Sequence, residues 1–145
     1  MITEEAKKKI NLFLQTFFTT GNVGTGSDST NPNSNSLDVP IITPDEGISI
    51  TATNTGDTST DFKLVLLGSQ LSASVVREFG IFGELPQDDQ FDEMKLEGVQ
   101  ITGESNTDGT EATVETTMLS RLSFEGLGPF NNSDEITFTL SVEVE

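Results

Sequence analysis

The segment from Glu135 to Glu145 constrains the fold of this 145-residue chain more than any other part of the sequence. Its apolar residues alternate strictly with hydroxyl-bearing and acidic residues, and they are Ile136, Phe138, Leu140, Val142 and Val144. Successive side chains of a β-strand point to opposite faces of a sheet. The alternation therefore predicts a strand with one buried and one solvated face, as is typical of an antiparallel sheet.

Four further segments have the composition of strands. We predict strands over residues 48–53, 62–66, 74–83 and 116–127, each bounded by turn-forming residues. The segment 74–83 is apolar on both faces, which indicates an interior strand or one that a neighbour covers. The ten Phe residues are the only aromatic residues, so we expect them to anchor the core. The pattern predicts a mainly β fold, an antiparallel, jelly-roll-like β-sandwich over residues 45–145.

The N-terminal residues 1–19 have the spacing of an amphipathic helix. Thr3 is a candidate N-cap residue, and one predicted face carries Ile10, Phe13, Leu14 and Phe17. This helix has more apolar surface than one small sandwich needs to cover. Two interpretations stay open: the helix packs against a neighbouring subunit, or it caps its own domain.

Two segments are expected to lie outside the regular sandwich. Residues 20–44 begin with a run rich in Gly, Ser, Thr and Asn, which predicts an extended arm that lies on another surface. Residues 84–114 are rich in acidic side chains and Gly, which indicates an insertion or hairpin, with 95–101 as a candidate edge strand.

The net charge of −17 arises from 24 acidic and 7 basic residues. One explanation is adaptation to molar salt, in which the Debye length falls to about 3 Å and like charges no longer repel. The other is an ordinary acidic surface on a viral or secreted protein. Both argue against direct contact with nucleic acid, whose phosphates bind Lys and Arg. No apolar run approaches the length of a membrane span, and we expect none.

The residue types limit the chemistry that the chain can perform. The chain has no His and no Cys, which excludes Ser-His-Asp and cysteine nucleophiles as well as disulfides. Carboxylates are so abundant that any two can be neighbours by chance. The acids Asp88, Asp89, Asp92 and Glu93 match no defined cation-binding loop, so a solvated acidic face is the simpler reading. We expect no enzyme activity, no cofactor and no specific metal site.

Three segments, in this order, resemble small structural modules of tailed bacteriophages, which occur in tail-collar fibres, head fibres and related virion proteins. They are Val23-Gly24-Thr25-Gly26 with a polar run to Leu37, Val76–Phe82, and Leu119–Phe124 followed by the closing strand. The resemblance covers residues 20–145 apart from the acidic insertion. The sequence departs from the family at 128–133, where a Lys-Thr-like turn is usual, and in the length of the insertion. Because of those departures, the resemblance does not fix where on the particle the chain is located.

The resemblance and the charge together imply a virion protein of a tailed virus with a haloarchaeal host. It would form a symmetric homo-oligomer, a trimer or a pentamer, and would contact other capsid or tail proteins. Its place would be that of a capsid decoration, or a turret, collar or fibre base. The turns 54–61 and 106–113 are candidate contacts with a host glycan or protein, and they are equally ordinary turns. The alternative is a cell-surface carbohydrate-binding or adhesion domain with a convergent sandwich.

Three residues of these motifs also have a direct physical interpretation. Glu78 and Arg121 fall on strands that the pattern places in one sheet, where a carboxylate–guanidinium pair would fix the register. The alternative is that both side chains point at solvent or at another subunit. Gly80 predicts a bulge or the close approach of another backbone. The expected assembly residues are these three, the helix face and the glycines of the arm, Gly24 and Gly26.

Overall fold

The computed structural model describes residues 1–26, 36–41, 48–71, 74–95 and 114–145. In these ranges it has one α-helix, α1 (Glu4–Phe17), and seven strands. Short 3-10 helices follow two of the strands, at Gly68–Leu71 and Asp88–Lys95. The strands are β1 (Thr20–Gly24), β2 (Ile48–Ser49), β3 (Thr51–Gly56), β4 (Ser59–Leu67), β5 (Val76–Pro86), β6 (Val114–Leu127) and β7 (Glu135–Glu143).

The strands form two antiparallel sheets. The four-stranded sheet has the order β2-β1-β5-β6, and the three-stranded sheet has the order β3-β4-β7. All neighbouring strands run antiparallel. The prediction of a mainly β, antiparallel fold with a short N-terminal helix is confirmed.

One hydrophobic core draws side chains from both sheets. The ring of Phe79 on β5 stacks on the ring of Phe138 on β7, with 5.5 Å between the centroids. Phe138 also stacks on Phe124 of β6 at 6.0 Å. The buried apolar side chains are those of Phe18, Val23, Phe62, Leu64, Leu66, Leu71, Val76, Phe79, Ile81, Leu85 and Phe138. Phe residues therefore supply the ring contacts between the sheets, as expected from the composition.

The alternation of apolar and polar residues in the sequence predicted the positions of β4 and β7. On β4 the even-numbered residues Phe62, Leu64 and Leu66 are buried, whereas the residues between them are exposed. β5 lies between β1 and β6, as the apolar content of both its faces predicted. The predicted strand 48–53 is instead two strands. The N–H of Ile50 donates to the carbonyl of Thr19, and at this residue the chain passes from one sheet to the other.

The prediction that residues 20–44 form an extended arm outside the sandwich is wrong for its first five residues. Thr20–Gly24 is an interior strand, paired with β2 on one side and with β5 on the other. A Cβ at Gly21 would lie only 2.9 Å from Cγ2 of Ile50. Glycine usually weakens a strand, but here it permits close packing between segments. That benefit depends on tertiary contacts that the local sequence does not reveal.

The helix packs on its own domain. Thr3 is the N-cap, and its Oγ1 accepts a hydrogen bond from the N–H of Ala6 at 3.1 Å. Phe13, Leu14 and Phe17 pack against the core. Ile10, which lies on the same face of the helix, is 40% exposed and is not among the residues that pack against the core. The interpretation in which the helix caps its own domain therefore holds for three of the four predicted residues.

The first part of the acidic insertion is regular. β5 continues through Glu84 to Pro86, and the 3-10 helix follows at Asp88–Lys95. β5 therefore begins two residues later and ends three residues later than the predicted strand 74–83. The candidate edge strand 95–101, apart from its first residue, and the turn 106–113 lie outside the described residues.

Candidate functional site

The carboxylate of Glu78, near the start of the interior strand β5, is buried. The residue is 1% exposed, and its two oxygens accept three hydrogen bonds from backbone N–H groups. Oε2 accepts from Gly26 at 2.8 Å and from Val39 at 2.9 Å. Oε1 accepts from Asp38 at 2.8 Å. A buried carboxylate is costly unless it is hydrogen-bonded, and three N–H donors supply that compensation.

The donors come from the two sides of the segment 27–35, which lies outside the described residues. Glu78 therefore joins the end of β1 to the segment that returns at residue 36. We call residues 36–41 the returning arm. Glu78 and its three N–H donors are called the Glu78 clamp.

Glycine is required at two positions beside the Glu78 clamp. A Cβ at Gly24 would lie 2.6 Å from Oε2 of Glu78 and 2.5 Å from the carbonyl oxygen of Val39. A Cβ at Gly26 would lie 2.5 Å from the same Oε2. All three distances are shorter than ordinary van der Waals contact. The two glycines of the first motif therefore leave room for the carboxylate of the second.

Gly80 lies beneath the returning arm. A Cβ at Gly80 would lie 3.0 Å from Cδ2 of Leu37 and 2.9 Å from the ring of Phe82. Leu37 is itself buried. The sequence predicted either a bulge here or the approach of another backbone. It is a side chain of the arm that approaches Gly80, and the shift of register between β5 and β6 falls one step later, between Ile81 and Phe82.

The predicted ion pair between Glu78 and Arg121 is wrong. The two residues do lie on adjacent strands of one sheet, as expected, but Glu78 pairs with Ser123 and Arg121 pairs with Gly80. The carboxylate of Glu78 accepts hydrogen bonds from the three backbone N–H groups. The Nη1 of Arg121 donates instead to the carbonyl oxygen of Ser36 at 3.2 Å. Both residues therefore bind the returning arm.

The returning arm also extends the edge of the four-stranded sheet. The N–H of Thr25 donates to the carbonyl of Val39, and the N–H of Ile41 donates to the carbonyl of Val23, both at 2.9 Å. Gly24 and Pro40 form an antiparallel bridge. The edge of β1 is thus covered by β2 at one end and by the arm at the other.

A second buried polar cluster fixes the helix. Asn11 is 1% exposed, and its Oδ1 accepts a hydrogen bond of 2.7 Å from Oγ1 of Thr60. Its Nδ2 lies within 3.2–3.4 Å of four oxygens around the turn between β3 and β4, on Asn54, Gly56, Asp57 and Ser59. The sequence reading missed this role. Its only signal was an amide residue next to the apolar face of the helix.

The polar groups of these clusters bind other parts of the same chain. Among the described residues, every buried side-chain nitrogen or oxygen has a hydrogen-bond partner. In the same ranges no group of three or more His, Cys, Asp and Glu side chains is placed to hold a metal ion. The arrangement therefore positions chain segments.

Comparisons with protein-family models, curated proteins and solved structures find no match to this chain. In the described ranges no helix is both long enough and apolar enough to cross a membrane. The proposal for function therefore depends on the geometry of the site and on the sequence motifs.

Proposed function

We propose that the chain is a non-enzymatic structural module of a tailed virus particle, on the capsid surface or at a turret, collar or fibre base. The observation that carries the proposal is the convergence of the three phage-like segments on the returning arm. Gly24 and Gly26 come from the first segment, Glu78 and Gly80 from the second, and Arg121 from the third. Residues that are far apart in sequence thus have one common structural role, which is to hold the returning arm.

We infer that the two sheets form a β-sandwich of jelly-roll type. The shared core and the ring contacts of Phe79 and Phe124 with Phe138 support this architecture. In a sandwich the side chains of the inner faces of both sheets meet in one layer. The Glu78 clamp then secures the segment that lies across the outside of one sheet.

The charge distribution supports the proposal that the protein functions at high salt concentration. Between described residues the ion pairs are Lys7 with Glu4 and Lys9 with Glu5, both on the helix. From residue 10 onward, four basic residues accompany 22 acidic ones. Concentrated salt screens the repulsion among these carboxylates. This surface is what we expect of a virion protein from a virus with a halophilic host.

The module acts as a symmetric homo-oligomer, a trimer or a pentamer, that also contacts other capsid or tail proteins. Apolar side chains on the outer face of the three-stranded sheet support self-association. Val65 and Leu67, on its central strand, are 42% and 48% exposed. Large apolar side chains that share one face favour contact with another protein surface.

Sedimentation equilibrium of the purified chain in about 1 M NaCl, together with a glycan-binding screen, tests this function. The proposal predicts a symmetric oligomer without glycan specificity. A monomer that binds a defined glycan would instead support the adhesion-domain alternative.

A further inference from the structure

The contacts of Glu78 make the position of the returning arm depend on one negative charge. Its carboxylate accepts hydrogen bonds from three backbone N–H groups, those of Gly26, Asp38 and Val39. A backbone N–H group can donate a hydrogen bond and cannot accept one, whereas an ionised carboxylate only accepts. The Glu78 clamp therefore matches the charged form of Glu78.

Protonation of Glu78 would remove this match. A protonated carboxyl carries an O–H donor on one of its oxygens. Because N–H groups face both oxygens, a proton on either of them meets an N–H group. The other oxygen is then a neutral acceptor, and hydrogen bonds to neutral acceptors are roughly half as strong as those to charged ones. Since Glu78 is 1% exposed, water can replace the lost partners only if the arm moves.

Ionisable groups on two neighbouring elements face the same region. Asp38, on the returning arm, is exposed, and a Cβ at Gly26 would lie 2.7 Å from its Oδ2 and 2.5 Å from Oε2 of Glu78. The two carboxylates are therefore close together. Arg121, on β6, donates to the carbonyl of Ser36, and β1 contains no ionisable side chain. An acid response of the arm can thus arise from Glu78 or from Asp38, and variants distinguish the two.

The rest of the domain should respond to acid in the opposite direction. The chain carries 24 acidic and 7 basic residues, and like charges within a folded chain disfavour the compact state. Acid neutralises exposed carboxylates and so reduces this repulsion. Moderate acid therefore favours the folded sheets while it weakens the Glu78 clamp. A change at the arm can be separated from unfolding of the whole domain.

We propose that Glu78 is a pH-sensitive latch, whose charged form holds the returning arm on the four-stranded sheet and whose protonated form releases it. Attachment is complete at neutral pH and is lost as the pH falls and Glu78 takes up a proton. Release uncovers the edge of β1 at Val23 and Thr25 and the surface of Gly80 beneath Leu37. The inference goes beyond the proposed function and does not depend on it.

Hydrogen exchange followed by NMR tests the latch in the unmodified chain. The N–H groups of Thr25 and Ile41 report on the arm without contacting Glu78, because they donate to the carbonyls of Val39 and Val23. The N–H groups of β4 report on the other sheet. Protection factors, corrected for the intrinsic pH dependence of exchange, are compared at neutral and acid pH in about 1 M NaCl, which screens the changing surface charge.

The latch predicts that acid lowers the protection of Thr25 and Ile41 at least about tenfold while β4 stays protected. Equal protection of the arm at both pH values would overturn the proposal. An equal loss in β4 would also overturn it, because the whole domain would then be unfolding.

Three variants assign the response to one carboxyl group. Glu78→Gln imitates the protonated form, so the protection of its arm should be low at neutral pH and unchanged in acid, with β4 still protected. Asp38→Asn removes the neighbouring charge and should keep the response of the natural chain. Glu84→Gln, at an exposed position on the same strand, should keep it too. A response that persists in Glu78→Gln, or that disappears in Asp38→Asn, would overturn the assignment to Glu78.

Discussion

The Oε2 atom of Glu78 accepts a hydrogen bond of 2.9 Å from the backbone N–H of Val39, which precedes it by 39 residues. Through this contact an acidic side chain of an interior strand determines where the returning arm lies. The same oxygen binds the N–H of Gly26, so one carboxylate joins both sides of the segment 27–35. The Glu78 clamp therefore makes the arm part of the folded domain.

Replacement of Glu78 by Gln should lower the free energy of unfolding by about 1–3 kcal/mol. Backbone N–H groups face both carboxylate oxygens of Glu78. In Gln an amide NH₂ group replaces one of these oxygens, and it donates hydrogen bonds and cannot accept one from an N–H group. Urea unfolding at constant salt measures the change. Glu84→Gln, at an exposed position on the same strand, is the matched control and should change stability by less than about 0.5 kcal/mol. Equal effects of the two variants would contradict the role of Glu78.

Gly26→Ala should also destabilise the domain, by about 1–3 kcal/mol, because the new methyl group would overlap Oε2 of Glu78. Gly56→Ala provides the comparison. Its Cβ would meet Oγ of Ser59 at 3.0 Å, and that hydroxyl can rotate away. Thermal unfolding of both variants distinguishes the two sites. A Gly26→Ala protein as stable as Gly56→Ala would show that the Glu78 clamp tolerates a side chain there.

Asn11→Ala should loosen the helix from the turn between β3 and β4. The substitution removes the acceptor of the 2.7 Å hydrogen bond from Thr60 and leaves four partly buried oxygens without their donor, at a cost of about 1–3 kcal/mol. Lys8→Ala, on the exposed side of the helix, should have little effect. In a double-mutant cycle with Thr60→Val the two losses should not add, because the residues share a hydrogen bond. Strict additivity would mean that they act independently.

The melting temperature of the domain should rise with the concentration of NaCl. At low ionic strength the carboxylates repel one another within the folded chain, and this repulsion is screened as the Debye length falls to about 3 Å in molar salt. Thermal melts followed by circular dichroism across a NaCl series measure the effect. A parallel series in sucrose separates screening from the general effect of excluded solutes, since sucrose carries no charge. A melting temperature that is the same at about 50 mM and about 1 M NaCl would count against adaptation to salt.

Strand position was predictable where burial alternates with exposure. β4 and β7 follow that rule, because Leu64 and Phe138 each lie between exposed neighbours and point into the core. The helix was predictable from its N-cap residue and its apolar spacing. These features are local, and a local pattern is visible in the sequence.

The sequence motifs selected part of the site around the returning arm, but not the contacts within it. The motifs selected Gly24, Gly26, Glu78, Gly80 and Arg121, but sequence reasoning paired the two charged side chains with each other. Every residue except proline has a backbone N–H group, so the sequence does not show which of these groups bind Glu78. β1 was missed for a related reason, since its glycines are favourable only because of what packs against them.

The most direct test of the proposed function is electron microscopy of purified virus particles labelled with a gold-conjugated antibody to this chain. The account predicts gold at regularly repeated positions on the particle, at the capsid surface, a vertex or the tail. Gold on cell envelopes, with particles left unlabelled, would contradict it.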